Sequence, residues 1–257
     1  MNKSPRNFKL TLEYDGTAFY GWQIQKRKKT IQGTLQKTLK KITGEKIIVM
    51  GSGRTDAGVH ALAQVAHFKT RSAYSLQKMQ RALNALLPSS IVVKKIEEVF
   101  EEFHAQWDAK KKTYTYFIWN DSTPSAFFHP YVWQIKYPLD WKAMEKALQC
   151  LVGQHDFKSF QSVGTPVAST VREIFRASIK SVGASANKSW RAPLHSISLE
   201  ANGFLKQMVR NIVGTVVQVG LGQIKPQEIQ KILQAKDRRK AGPAAPAKGL
   251  FLLRVEY

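Results

Sequence analysis

Carboxylates are scarce in this chain: 18 Asp and Glu stand against 40 Lys and Arg, a formal net charge of +22. Such a surface seeks a polyanion. The basic residues are spread through patterned segments and do not gather on one amphipathic helix, so nucleic acid is the expected partner, ahead of a membrane surface. A basic exterior with no specific ligand is the plainer alternative. Cysteine is nearly absent. Cys150 stands alone, which excludes an internal disulfide framework and suits a reducing compartment, so a cytoplasmic location is expected. Long apolar runs are missing too: the longest, Ile212 to Gly222, is broken by Thr215 and Gln218 and falls short of the roughly 20 residues of a membrane span. Met1 to Leu10 has no apolar core of signal-peptide type.

Familiar cofactor motifs are absent as well. Gly51 and Gly53 are not followed by the third glycine of a dinucleotide fold. Gly16 and Gly21 have phosphate-loop spacing, but Trp22 and Gln23 stand where Lys and Ser/Thr are required. His60, His67, His104, His129, His155 and His195 are scattered, and one cysteine cannot complete a zinc set of usual spacing. There is no G-x-S-x-G nucleophile elbow. No metal, nucleotide cofactor or serine nucleophile is expected.

What is present is periodic. Phe8, Leu10, Leu12 and Tyr14 alternate with polar positions and predict a half-buried strand ending at Asp15-Gly16. Ile31, Leu35, Leu39 and Ile42 have helical spacing, closed by Gly44. Lys46 to Met50 reads as a short strand, Val59 to Phe68 as another. Ser75 caps a helix that Pro88 terminates, and Ile91 to Val99 returns as a strand. This β-α-β-β-α-β order predicts an antiparallel sheet with both helices on one face. After a hinge-like segment, Phe103 to Asp108, the same order is expected again: strand Thr113 to Trp119, helix Trp141 to Leu151, strands Val171 to Lys180 and Leu194 to Ala201, helix Leu205 to Val219, and strand Leu250 to Glu256. A short extra helix begins near Pro226. The expected fold is therefore α+β with two structurally similar halves, 1–107 and 108–257, and a cleft between them for an extended ligand. Ser181 to Arg191 reads as a surface excursion with no assignable chemistry.

Within this frame, Gly51 to Ala61 (GSGRTDAGVHA) sets Asp56 among glycines, with Arg54 two positions before it. An Asp in such a turn commonly caps a backbone amide. Beside a guanidinium, though, its ionised form is favoured, and an ionised carboxylate serves as nucleophile or base. Arg210 lies in the apolar run Phe204 to Gly214, where it is either an arginine with a solvated head or a partner reaching a carboxylate. Tyr114, on the strand that follows Lys110, Lys111 and Lys112, is either packed in a sheet or stacked on an unpaired base. Lys26 to Lys29 and Arg238 to Lys240 are solvated loops taken singly, and a phosphate track taken together.

These segments resemble the tRNA pseudouridine synthases of the TruA type over essentially the whole chain. The resemblance is carried by Leu12-Glu-Tyr-Asp-Gly16 with Gly21-Trp-Gln23, Gly53-Arg-Thr-Asp-Ala-Gly-Val-His-Ala61, Tyr114-Thr-Tyr116, Met208-Val-Arg-Asn-Ile-Val-Gly214 and Gly249-Leu-Phe-Leu. It implies a cofactor-free isomerase converting uridine to pseudouridine at positions 38 to 40 of the tRNA anticodon stem-loop, working as a homodimer in which one tRNA touches both subunits. By position it makes Asp56 the nucleophile, Arg54 the residue that helps extrude or hold the nucleotide, Tyr114 the aromatic against the target base, and Arg210 the partner of the aspartate. Whether the carboxylate attacks the ribose carbon or C6 of the base stays open. Two other classes compete: a non-catalytic RNA-binding protein of two RRM-like halves, which would leave Asp56 without a role, and an N-glycosidase, which would release the base.

Overall fold

Strand β1 (Arg6–Tyr14) buries Phe8, Leu10, Leu12 and Tyr14, the face that the period of two selects. It belongs to a computed structural model that describes residues 4–164, 167–184 and 191–257. Helix α1 (Ile31–Thr43) starts where the Thr30 hydroxyl accepts from the Gly33 amide at 3.2 Å and stops at Gly44, whose φ of 76° is the left-handed conformation glycine adopts most easily. Strand β2 comprises only Met50–Gly51. A longer strand from Lys46 does not form because the preceding backbone is claimed by α1 side chains: Val49 N–H donates to Gln36 Oε1 at 3.0 Å, and Val49 O accepts from Gln32 Nε2 at 2.8 Å. Strand β3 (His60–Thr70), helix α2 (Leu76–Leu86, capped by Ser75) and strand β4 (Ile91–Val99) complete the expected β-α-β-β-α-β order. Strand β1 is central between β3 and β4, antiparallel to both, from Arg6↔Thr70 to Tyr14↔Ala61 on one side and from Asn7↔Val99 to Tyr14↔Ile91 on the other. Because β1 fills one edge of β3, the pairing of Met50 with His67 places β2 on the opposite edge.

The chain divides into two compact units, the first running to Lys110 and regaining Phe251–Tyr257, the second spanning Lys111–Leu250. In the second, β5 (Lys111–Trp119) is joined by β6 (Trp133–Gln134) in parallel, followed by α3 (Trp141–Gln149, capped by Asp140) and β7 (Gly153–Asp156). Then come β8 (Val171–Ala184), β9 (Arg191–Ala201), α4 (Met208–Gly220) and α5 (Glu228–Ala235). Antiparallel pairing gives the order β5-β9-β8-β7. Residues 185–190, most of the excursion expected at Ser181 to Arg191, lie outside the described residues. Strands β6 and β7 are too short to leave a periodic signal.

The last strand, β10 (Leu250–Glu256), pairs in parallel with β3, Phe251↔His60 and Leu252↔Ala61, on the edge of β3 that also takes β2. That sheet is accordingly mixed, not wholly antiparallel.

Phe103 to Asp108, the hinge-like segment of the sequence reading, is anchored to the first unit. The Asn7 side-chain amide donates to the carbonyls of Phe100, Glu101 and Phe103 at 3.1, 3.3 and 3.0 Å. Phe103 and Ala105 are buried with Val65, beside Val99, Val255 and Tyr257. His67 Nδ1 accepts from the Ala105 amide at 3.1 Å, and the Tyr257 hydroxyl donates to Ala105 O at 2.7 Å. The Phe103 carbonyl and both backbone polar groups of Ala105 are therefore satisfied by residues of the first unit's strands and by Tyr257.

Burial first, then the charges of His104 and Lys69, hold the His67 imidazole down to about 4. Folded His67 thus binds a proton less readily than the unfolded chain, so its contribution to stability is complete above about pH 6.5 and is lost as pH falls through about 4. A shift of this size corresponds to roughly 2–4 kcal/mol. In an NMR titration the His67 ring resonances are expected to stay flat from pH 8 to 5. A midpoint near 6.5 would overturn the burial argument.

Candidate active site

The loop between β2 and β3 carries Arg54 and Asp56, and the structure explains why it holds one shape. Its floor is buried. Ser52 Oγ and Gln64 Oε1 lie 2.7 Å apart, Gln64 Nε2 donates to Gly53 O at 3.1 Å, and the Thr55 and Tyr14 hydroxyls meet at 2.8 Å. Burial, opposed by these bonds to Thr55 and Gln64, pushes the Tyr14 phenol up to about 12, so it stays neutral at physiological pH. Above this floor the side chains separate by exposure: Ser52 and Thr55 are buried, Asp56 is half-buried, and Arg54 is exposed.

The segment after β1 holds the loop from beside it. Trp22 N–H donates to Thr55 O at 3.0 Å, and Gly58 N–H to Phe19 O at 3.3 Å. These bonds require the two backbones to nearly touch. A Cβ on Gly21 would sit 2.5 Å from Thr55 O and 3.0 Å from the carbonyl carbon of Asp56, and Gly21 has a φ of +81°. Gly16 meets the Val59 carbonyl in the same way, and a Cβ on Gly51 would strike the Trp22 ring at 2.5 Å. The glycines whose spacing suggests a failed phosphate loop are thus packing glycines. Within the loop itself only Gly58 has a positive φ, 77°; Gly51 serves close approach, not an unusual dihedral.

Tyr114 and Arg210 belong to the second unit. Tyr114, 8% exposed on β5, sets its ring edge-on to Phe204 at 5.2 Å and 85°. Lys112 shares its strand face, with its ammonium lowered to about 8 by burial and then by the charge of Arg172. Helix α4 begins at Met208, not Leu205, because Gln207 takes a left-handed φ of 58°. The helix is buried nearly all round, a core helix on which Arg210 is half-buried. Arg210 Nε donates to Ala245 O at 2.7 Å, while Ala245 N–H returns a bond to Arg210 O at 3.0 Å. Gly214 leaves room for the Pro243 carbonyl, and the Tyr116 hydroxyl donates to Pro246 O at 2.8 Å. The Gly242–Pro246 segment therefore braces Arg210, a role that no local pattern announces.

Arg238 is half-buried, donating to Asn211 Oδ1 at 2.9 Å and Ala241 O at 3.1 Å, whereas Arg239, paired with Asp237 at 2.7 Å, keeps its side chain 89% exposed. Among the described residues, no helix is long and apolar enough to cross a membrane, and no group of three or more His, Cys, Asp or Glu could hold a metal ion.

The loop thus presents a carboxylate and a guanidinium in an α+β chain of net charge +22. A family model described as tRNA pseudouridine synthase matches residues 11–108 and 147–257, and the chain belongs to that family. It is similar to proteins named tRNA pseudouridine synthase A from Thermoanaerobacter sp. and Brevibacillus brevis, each 45% identical over 98% of this chain and 100% of the relative. The relative of that name from Caldicellulosiruptor bescii is 43% identical over the same shares. The family's reaction, isomerisation of uridine to pseudouridine in tRNA, is the activity of this chain.

The packing argument predicts unequal costs for two glycine substitutions. Gly21→Ala is expected to cost roughly 2–5 kcal/mol, combining a left-handed alanine with a collision against backbone. Gly44→Ala, at φ +76° with nothing within 4 Å, should cost only roughly 1–2 kcal/mol. Urea unfolding of both variants decides it. Equal costs would mean that close approach at Gly21 is unimportant.

Proposed function

We propose that the protein isomerises uridines 38, 39 and 40 in the anticodon stem-loop of tRNA, with Asp56 as the nucleophile. The observation that carries the assignment is the half-buried Asp56 on a loop fixed from below by Tyr14, Thr55 and Gln64 and from beside by Gly21. A carboxylate held this way is oriented before substrate arrives, which lowers the entropic cost of attack. The reaction balances without a cofactor. The bond from N1 to the ribose carbon breaks, the base turns while enclosed, a bond forms from that carbon to C5, C5 gives up its proton, and N1 gains one. The carboxylate adds transiently at the ribose carbon or at C6 and leaves unchanged.

Arg54, exposed beside Asp56, is proposed to help extrude and hold the target nucleotide. Extrusion from a stack costs a few kcal/mol, which contacts to the flipped nucleotide offset. Tyr114 is proposed to lie against the target base and Arg210 to act as the cationic partner of the aspartate. The bracing of Arg210 by Ala245 supports a fixed guanidinium. The reading extends to a cytoplasmic homodimer, in keeping with the lone Cys150 and the basic exterior.

Asp56→Ala should abolish tritium release from tRNA labelled at uridine C5 while gel-shift affinity for tRNA persists; turnover by this variant would sink the assignment. Arg210→Ala should lower turnover at least tenfold, and an unchanged rate would make it a packing residue only. Tyr114→Phe is expected to bind tRNA better than Tyr114→Ala, equal impairment pointing to the hydroxyl instead. Mass spectrometry of digested tRNA identifies the reaction: isomerisation alters retention at constant mass, whereas loss of a base would indicate glycosidase chemistry.

A further inference from the structure

Between Asp15 and Glu45 the chain contains no acidic residue, yet it carries Lys26, Arg27, Lys28 and Lys29 in succession. Their loop is closed and built. Tyr20 N–H donates to Lys29 O at 2.9 Å, Lys28 N–H to Gln25 O at 3.2 Å, and Gln25 Nε2 to Tyr20 O at 2.8 Å. At its base Ile31 N–H donates to Gly21 O at 3.1 Å and Gln32 N–H to Trp22 O at 3.0 Å. Two of the ammonium groups are held over rings, Lys28 Nζ 4.1 Å from the Tyr20 centroid and Lys29 Nζ 4.7 Å from that of Phe19. Residues Gln23 to Lys29 are all exposed, and among the described residues none of the four cations forms an ion pair.

Arg27 sharpens the reading. Its φ of 60° is left-handed, where a side chain costs roughly 1–2 kcal/mol and glycine costs little. An arginine kept in a glycine conformation points to a use for its guanidinium. The lobe is also tied to the loop of Asp56, since Phe19 and Trp22, which flank its root, bond to Gly58 and Thr55.

We propose that the 20–29 lobe is a preformed phosphate clamp that grips the RNA backbone next to the target nucleotide. The clamp rests on the reading of the chain as a tRNA-modifying enzyme and adds to it a binding element. Its charges are ordered before binding, and a fixed root sets their distance from Asp56, so holding those phosphates places the neighbouring uridine at the carboxylate.

Arg27→Gly separates this role from folding, because the substitution relieves the backbone and removes one cation. Its urea midpoint should be equal to or above that of wild type. The slope of log affinity against log salt for whole tRNA should become shallower by roughly 0.7–0.9, equivalent to roughly a five- to eightfold loss of affinity at 0.1 M salt. Lys26→Ala with Arg27→Gly should lose about twice that slope. Ethylation interference on the tRNA then locates the contact: the phosphates that matter to wild type but not to the double variant are expected to flank the isomerised uridine. An unchanged slope, or differential phosphates confined to the far arms of the tRNA, overturns the clamp. A protein that isomerises tRNA normally and shows no lobe effect sinks the clamp alone; one that binds through the lobe but forms no pseudouridine sinks the enzymatic reading alone.

Discussion

The near-contact between two backbones, Gly16–Trp22 against Thr55–Val59, is the constraint on which the candidate site depends. A loop that offers a carboxylate to a nucleotide cannot be held by burying that carboxylate, since its desolvation would favour the neutral acid. The alternative adopted here is to bury Ser52, Thr55 and Val59 around it. Thr55 goes down to Tyr14, Ser52 and Gly53 are bonded by Gln64, Val59 goes under Gly16, and the Thr55 carbonyl is bonded from the side by Trp22. Asp56 is left half-exposed on a backbone that has little freedom to move. Gly16, Gly21 and Gly51 are needed because another chain segment occupies the space of a side chain.

The same logic orders the charge. Carboxylates of the first unit, Glu13, Glu97, Glu98 and Glu101, are drawn into pairs with Lys94, Lys9, Arg6 and Lys69 on or beside the sheet strands. Such exposed pairs stabilise little individually. Their consequence is spatial: acidic side chains are tied up around β1 and β4, while the segment from Gly16 to Gly44 keeps only positive charge.

In the second unit, the buried helix α4 has a comparable brace. Three of its polar side chains are matched: Asn211 with Phe160 O and Arg238, Thr215 with the Gly242 amide, and Arg210 with Ala245. The proline- and alanine-rich strip Gly242–Pro246 offers carbonyls that few side chains obstruct, and Gly214 lets that strip approach the helix.

Much of this was legible in the residue order because it depends on short-range rules. Alternation in Phe8 to Tyr14, the Ser75 and Asp140 caps and the Gly44 stop specify their elements from within a few residues. The α+β class, the polyanion preference and the singling out of Asp56 followed from pattern, charge and the resemblance of ordered motifs. Contacts between residues far apart in sequence decided the rest. The edge that β10 joins, the anchoring of Phe103 to Asp108 by Asn7 and His67, the loss of a strand at Lys46 to Val49 to the glutamines of α1, and the bracing of Arg210 by Ala245 each join positions with no periodic relation. A local pattern states which side chains must be buried and which backbone groups must be bonded; only the folded chain determines which distant partner satisfies them.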